Sequence, residues 1–209
     1  MNPNEALQRL QAGNQRFAAG EVANSSGWSA RRAELVAGQA PFAIIVDCSD
    51  SRVPAELIFD QGPGDLFVIR VAGNIVQASQ IGSVEFAASK FGTRLVVVLG
   101  HSGCGAIEAA VQQLQTAGDS PSPNLRSIVE SIRPAVEGLL TEDFAAEPDL
   151  LVERAVRANI RATTERLRRD SRIITTLERD DGLQIVGAEY SLHTGVVEFL
   201  DDVPDNGPP

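Results

Sequence analysis

The sequence predicts one α/β domain built on a mainly parallel β-sheet flanked by helices, and three observations carry that reading. At 209 residues the chain suits a single domain, since domains run to roughly 100–200 residues. Three continuous apolar runs of strand length, Phe42–Asp47, Leu66–Val71 and Arg94–Leu99, lack polar alternation. Such runs belong to strands covered on both faces. Helical patterns fall between and after them, at Ser83–Lys90 and Ala106–Leu114, which is the alternation of a parallel sheet with helices on both sides.

The remaining elements follow in order. Leu7, Leu10 and Phe17 place an amphipathic helix over residues 4–18, started by Pro3 and Asn4. A polar stretch runs from Gly20 to Ser29, and a second helical pattern around Arg31–Ala37 stops at Gly38. Gly118–Asn124 reads as a loop with two prolines, and helices are expected over 125–139, 149–170 and 173–179. Leu183–Tyr190 and Gly195–Leu200 flank a His-Thr-Gly turn and read as a strand pair. The acidic, Pro- and Gly-rich stretch from Asp201 to Pro209 reads as a fraying tail. No repeat or linker marks a second domain within residues 1–209.

Composition narrows the function. Eighteen basic against 28 acidic residues give a net charge of −10, which disfavours nucleic acid and anionic membranes as partners. No apolar run approaches the roughly 20 residues that cross a bilayer, and no signal peptide is visible at the N-terminus. Two cysteines without an export signal point to a reducing, cytoplasmic setting, where cysteines serve as ligands, nucleophiles or core residues.

Both cysteines follow the C-terminal ends of apolar runs: Cys48 in Cys48-Ser-Asp-Ser-Arg-Val53, and Cys104 in Gly100-His-Ser-Gly-Cys-Gly105. Ligands bind at such strand ends in open α/β sheets. If the first and third strands are neighbours, Cys48, His101 and Cys104 converge. Two thiolates and an imidazole suit zinc and leave a fourth position open, the pattern of catalytic sites. In an extended stretch Cys48, Asp50 and Arg52 point the same way, so Arg52 meets Asp50 beside the metal and keeps it ionised. Asp50 then either orients a nucleophile or fills the fourth metal position itself. Plain core cysteines, a Cys48–Cys104 disulfide, and a helix-cap role for Asp50 with Arg52 as a surface partner remain open on these residues alone. Gly100-x-x-Gly103-x-Gly105 lacks the spacing of a phosphate loop. Gly73-Asn74 reads as a turn, Trp28 and Tyr190 as packing, and His193 as solvent-exposed.

At these residues the sequence resembles the β-class carbonic anhydrases, from about Pro3 to Leu200. The resemblance is carried by Glu5-Ala-Leu-x-Arg9, Gly13-Asn-x-Arg16-Phe17 and Cys48-Ser-Asp-Ser-Arg-Val53. Further along it includes Phe67-Val-x-Arg70-x-Ala72-Gly73-Asn74, Gly82-Ser-x-Glu85, His101-x-x-Cys104-Gly105-Ala106, and Tyr190 before Thr194-Gly195-x-Val197. It implies four parallel strands plus a further edge strand, self-association as a dimer or tetramer, and an N-terminal helical arm (1–40) whose helix packs on a partner subunit. It implies one zinc per chain held by Cys48, His101 and Cys104, with Asp50 and Arg52 as the dyad at the fourth position. Gln39, Phe67, Ala72 and Gly103 fall where the family lines the substrate pocket, the glutamine often coming from the neighbouring subunit. The implied reaction is reversible hydration of CO2 to bicarbonate by zinc-bound hydroxide oriented by the dyad. Hydrolysis of COS or CS2 at the same site, or non-catalytic zinc binding or thiol sensing, are the alternatives. One subgroup has an inhibitory bicarbonate site of Trp, Arg and Tyr; Arg70 and Tyr190 match, but the Trp position is Ile45, so the open form is expected.

Overall fold

The structure is a computed structural model that describes residues 1–22, 28–116, 122–140 and 148–200, with the side chains of 28–30 excluded. Parts of the polar stretch and of the Gly118–Asn124 loop, the Trp28 side chain and the acidic tail lie outside the described residues.

Five strands form one sheet: β1 (Ala43–Asp47), β2 (Leu66–Arg70), β3 (Leu95–His101), β4 (Gln184–Tyr190) and β5 (Val197–Leu200), in the order β2-β1-β3-β4-β5. The first four are parallel and β5 runs antiparallel to β4. Every residue of β1 and β3 is buried, as their unbroken apolar runs require. The apolar run of β3 extends two residues beyond the expected end at Leu99. Gly100 and His101 pair with Glu189 and Tyr190 of β4, so His101 closes a strand rather than opening a loop.

Helices cover both faces. The long α7 (Pro148–Asp170) packs on β3 and β4, and α4 (Ala78–Phe91) on β1 and β2. Between them in space lies α8 (Arg172–Asp180), while α5 (Gly105–Thr116) and α6 (Pro123–Val136) pack against one another and on α7. A short α2 spans Trp28–Leu35, and α3 (Ala55–Ile58) is a single turn that periodicity could not register. The opposite face of the sheet is covered by α1 (Pro3–Ala18) together with α3.

The first helix is no free arm. Asn2 and Glu5 form a capping box at its start, and its buried face is Ala6, Leu10, Gly13 and Asn14 rather than a stripe through Leu7 and Phe17. A Cβ on Gly13 would stand 1.8 Å from the Phe59 carbonyl oxygen, so only glycine allows this approach. The Asn14 amide donates to the carbonyls of Ile58 and Gly195 and accepts from the Val197 N–H. Arg16 pairs with the buried Asp60 at 2.6 Å. These polar contacts tie α1 to its own chain.

Candidate metal centre

Strands β1 and β3 are hydrogen-bonded neighbours, with Asp47 level with Leu99. Their C-terminal ends therefore open at one edge, and the chain beyond each carries a ligand-type side chain. Cys48 follows β1, His101 ends β3, and Cys104 immediately precedes α5. Cys48 Sγ, Cys104 Sγ and the His101 ring nitrogen lie within 4.8 Å of one another, all in buried residues. The sulfurs are 3.9 Å apart and both thiols are free.

The state of each group suits a soft cation. The Nδ1 of His101 lies 2.9 Å from the Ser102 carbonyl, which fixes that nitrogen as the donor and leaves Nε2 with a lone pair. That Nε2 is buried and has no hydrogen-bond partner, so its lone pair is available to an electrophile at the centre. The Cys48 thiol is pulled down to about 4, chiefly by its hydrogen bond with Cys104, with help from the N–H groups of Asp50 and Gly73 against the effect of burial. The same contact, together with burial, pushes the Cys104 thiol up. The close contact favours one shared proton on the pair, which a metal bound there would displace. Two thiolates and one neutral imidazole fit zinc with one position open.

Beside these ligands the Asp50 carboxylate is gripped by Arg52. Oδ1 accepts from the Arg52 Nε and backbone N–H, each at 2.9 Å, and Oδ2 accepts from Nη2 at 2.6 Å. The guanidinium holds Asp50 well below the usual carboxylate range. Its Nη2 also reaches the Gly103 carbonyl at 3.0 Å, so Arg52 links the two ligand loops. The Asp50–Arg52 meeting comes from a turn closed by Val53 N–H to the Asp50 carbonyl, not from the extended alternation expected. Oδ2 of Asp50 lies 3.9 Å from His101 Nε2. Asp50 stands beside the three-residue ligand cluster without joining it.

Two residues hold the first ligand loop in roles that the sequence does not assign them: Arg70 figures there only in the family motif and a bicarbonate site, and Asp47 only in a strand. Arg70, at the end of β2, donates to the Cys48 carbonyl at 2.8 Å, the Asp50 carbonyl at 2.5 Å and the Val53 carbonyl at 3.5 Å. Asp47 is fully buried; its Oδ1 accepts the Cys48 N–H at 2.6 Å, and Oδ2 lies 3.7 Å from Arg70 Nε. Burial pushes the Asp47 carboxyl up to about 7. A carboxylate closing an otherwise apolar run was the available signal. Gly73 is more than a turn residue, because its N–H points at Cys48 Sγ from 3.3 Å.

The other expected site residues divide into two groups. Ala72 adjoins Gly73, and Gly103 supplies the carbonyl that anchors Arg52. Gln39 is exposed ahead of β1, at the end opposite Cys48. Phe67 is level with Ile44 near the strand starts, with its ring 6.3 Å from Phe86 and 6.1 Å from Phe91. Neither of these two is brought to the metal centre of its own chain. Arg70 and Tyr190 stand on strands with two others between them, a backbone separation of about 14 Å at the usual interstrand spacing. The Arg70 guanidinium is committed to the carbonyls of the first ligand loop, and Ile45 is buried within β1. A cavity of about 770 Å³ borders Ser102 and Gly103, but Glu108, Glu153, Arg157 and Glu189 line it and neither a thiol nor an imidazole does.

The chain as a whole is similar to known proteins. The sequence profile described as "Carbonic anhydrase" matches residues 43–197. Carbonic anhydrase 2 of Mycobacterium tuberculosis is 38% identical over 206 residues, which cover 99% of this chain and 97% of that protein. A carbonic anhydrase of Mycolicibacterium smegmatis is 37% identical over 212 residues, with the same shares covered. Among solved structures, the β-carbonic anhydrase CcaA superposes with a TM-score of 0.73 at 29% identity, covering 95% of this chain and 89% of that one. The β-carbonic anhydrase CafA of Aspergillus fumigatus gives 0.73 at 27% identity, covering 95% and 90%.

Proposed function

The chain belongs to the β-class carbonic anhydrases, and from that premise we propose that it hydrates CO2 reversibly at one zinc ion held by Cys48, His101 and Cys104. The observation that carries the proposal is the convergence of two thiols and a buried, unpartnered imidazole nitrogen from two separate strand ends. Zinc bound there supplies a Lewis acid that makes water nucleophilic near neutral pH.

The chain's own residues do the rest. Asp50 is ionised and so only accepts hydrogen bonds. Beside the ligand set it fixes the direction of an O–H donor and turns that oxygen's lone pair toward the carbon of CO2. Arg52 holds Asp50 through two donors and is itself anchored on Gly103. This grip opposes rotation of Asp50 into the fourth ligand position and supports the open state. Ala72 and Gly103 line the near side of the substrate pocket. The product proton leaves by water or buffer, since the second histidine, His193, is exposed in the turn after β4.

Gln39 and Phe67 enter the pocket from a second copy of the chain in this reading, because each sits at the far end of its strand from its own Cys48. Self-association as a dimer or tetramer supplies them, and it also accounts for Val36 and Phe86, which are 86% and 53% exposed. CO2 and bicarbonate are the small-molecule partners. No described helix is long and apolar enough to cross a membrane. Two free, metal-ready thiols suit the reducing cytoplasm.

The test is stopped-flow CO2 hydration on zinc-quantified protein from about pH 6.5 to 9. One zinc per chain with rapid turnover is expected. A zinc-loaded protein without turnover would sink the proposal and turn attention to COS, CS2 or a non-catalytic zinc role.

A further inference from the structure

A buried amide on α7 reaches the metal centre through one strained turn. Gly73 has φ +73° and Asn74 φ +42°, so two successive residues are left-handed, and for Asn74 that carries a conformational cost. The turn delivers the Gly73 N–H to Cys48 Sγ at 3.3 Å. What holds it there is Asn159, which is 2% exposed. Its Nδ2 donates to the Gly73 carbonyl at 2.8 Å and lies 3.5 Å from Asn74 Oδ1. Ile132 and Ala106 close the space around Gly73, at 3.0 and 3.3 Å from where a Cβ would stand. Packing thus limits how far the turn can shift, and the amide selects its orientation within that space.

We infer that Asn159 is a positioning residue for the metal centre, setting how strongly Cys48 binds and donates to the ion by holding the Gly73 N–H on its sulfur. The inference rests on the metal reading above. A hydrogen bond to a thiolate stabilises its charge and lowers its donor strength, as outer partners of metal ligands do. Without Asn159 the Gly73 carbonyl loses its donor, the left-handed pair relaxes, and the N–H leaves the sulfur.

The experiment compares the full chain with Asn159→Leu, close in volume but without a donor, and with Ile160→Val. Ile160 is the next residue of α7, fully buried, with its side chain against Gly100 and Gly187 of the sheet. Each protein is loaded with Co(II) to read the sulfur-to-metal charge-transfer band, and with zinc to measure affinity by chelator competition. Asn159→Leu is expected to move the band to longer wavelength and to change zinc affinity by about 10- to 100-fold. Ile160→Val is expected to leave both unchanged. Should Asn159→Leu not fold, Asn159→Ser, with a short hydroxyl donor, takes its place and is expected to move both readouts in the same direction. An unshifted band and unchanged affinity in the Asn159 variant, or equal shifts in the Ile160 variant, would overturn the inference while leaving the zinc reading intact. Failure of the unaltered chain to bind either metal would overturn both.

Discussion

The two ligand loops are held by different kinds of force. Residues 48–53 carry Cys48, Asp50 and Arg52, and side chains fix this loop from outside. Arg70 reaches three of its carbonyls, and Asp47 holds the Cys48 N–H. Residues 101–104 are fixed mainly by backbone. His101 pairs with Tyr190 in the sheet, and the Ser102 N–H continues that ladder to the Tyr190 carbonyl at 3.0 Å. Ser102 Oγ also accepts the Leu192 N–H, and Cys104 enters α5 directly, its carbonyl accepting the Glu108 N–H. The reactive dyad thus sits on the loop whose shape depends on charges, while the imidazole sits on the loop whose shape depends on the sheet. The first should respond to pH and to single charge changes, and the second should not.

The largest expected effect is on the dyad itself. Asp50→Asn keeps the ligand set but replaces one acceptor oxygen by a donor, so hydration should fall by about 10²–10⁴-fold with zinc content unchanged. Stopped-flow rates beside metal analysis check this, and near-full activity would remove Asp50 from the mechanism.

The next concerns Asp47 in the metal-free protein. Its carboxyl titrates near 3.8 when unfolded and is raised to about 7 when folded. Between those values the folded state holds the extra proton, so this group's stabilising contribution is complete below about pH 4 and is lost as pH rises through 7. The loss amounts to at most about 4 kcal/mol. The depressed Cys48 thiol acts in the opposite direction over this range, so the Asp47 contribution is read as a difference: the urea midpoint of the unaltered chain relative to Asp47→Asn should decline from pH 5 to 8. An equal slope in the two proteins would assign the pH dependence to other groups.

Arg70→Met removes the clamp and is expected to cost about 2–3 kcal/mol, with hydration reduced and partial recovery in Arg70→Lys. Ser102→Ala, on the backbone-held loop, should cost only about 1 kcal/mol, because its N–H bond to Tyr190 survives. Denaturation curves rank the two, and a larger loss for Ser102→Ala would reverse the comparison.

Much of this was legible in the linear sequence. Unbroken apolar runs announced the doubly covered strands β1 and β3, while β2, at the sheet edge, is only partly covered, and Cys48, His101 and Cys104 announced a soft-metal site. Both signals are local in character, since burial on two faces and ligand chemistry belong to the residues themselves. Asp50 and Arg52 were legible as a pair, although the geometry joining them is a turn. What escaped were contributions from distant segments. Arg70 is 22 residues from Cys48 and Asn159 is 86 from Gly73, so no spacing rule connects them. The buried face of α1 escaped for a related reason. It runs through Gly13 and Asn14, which bury for fit and hydrogen bonding rather than for apolarity.

The sequence by itself determined the fold class, the family and the three ligand types, because hydrophobic pattern and side-chain chemistry survive without coordinates. Only the tertiary structure decided that β1 lies beside β3 and that His101 ends a strand. It also decided that Gln39 and Phe67 lie at the far strand ends from their own Cys48. Those outcomes depend on which strands pair and in what register, and pairing is settled by the packing of the whole chain.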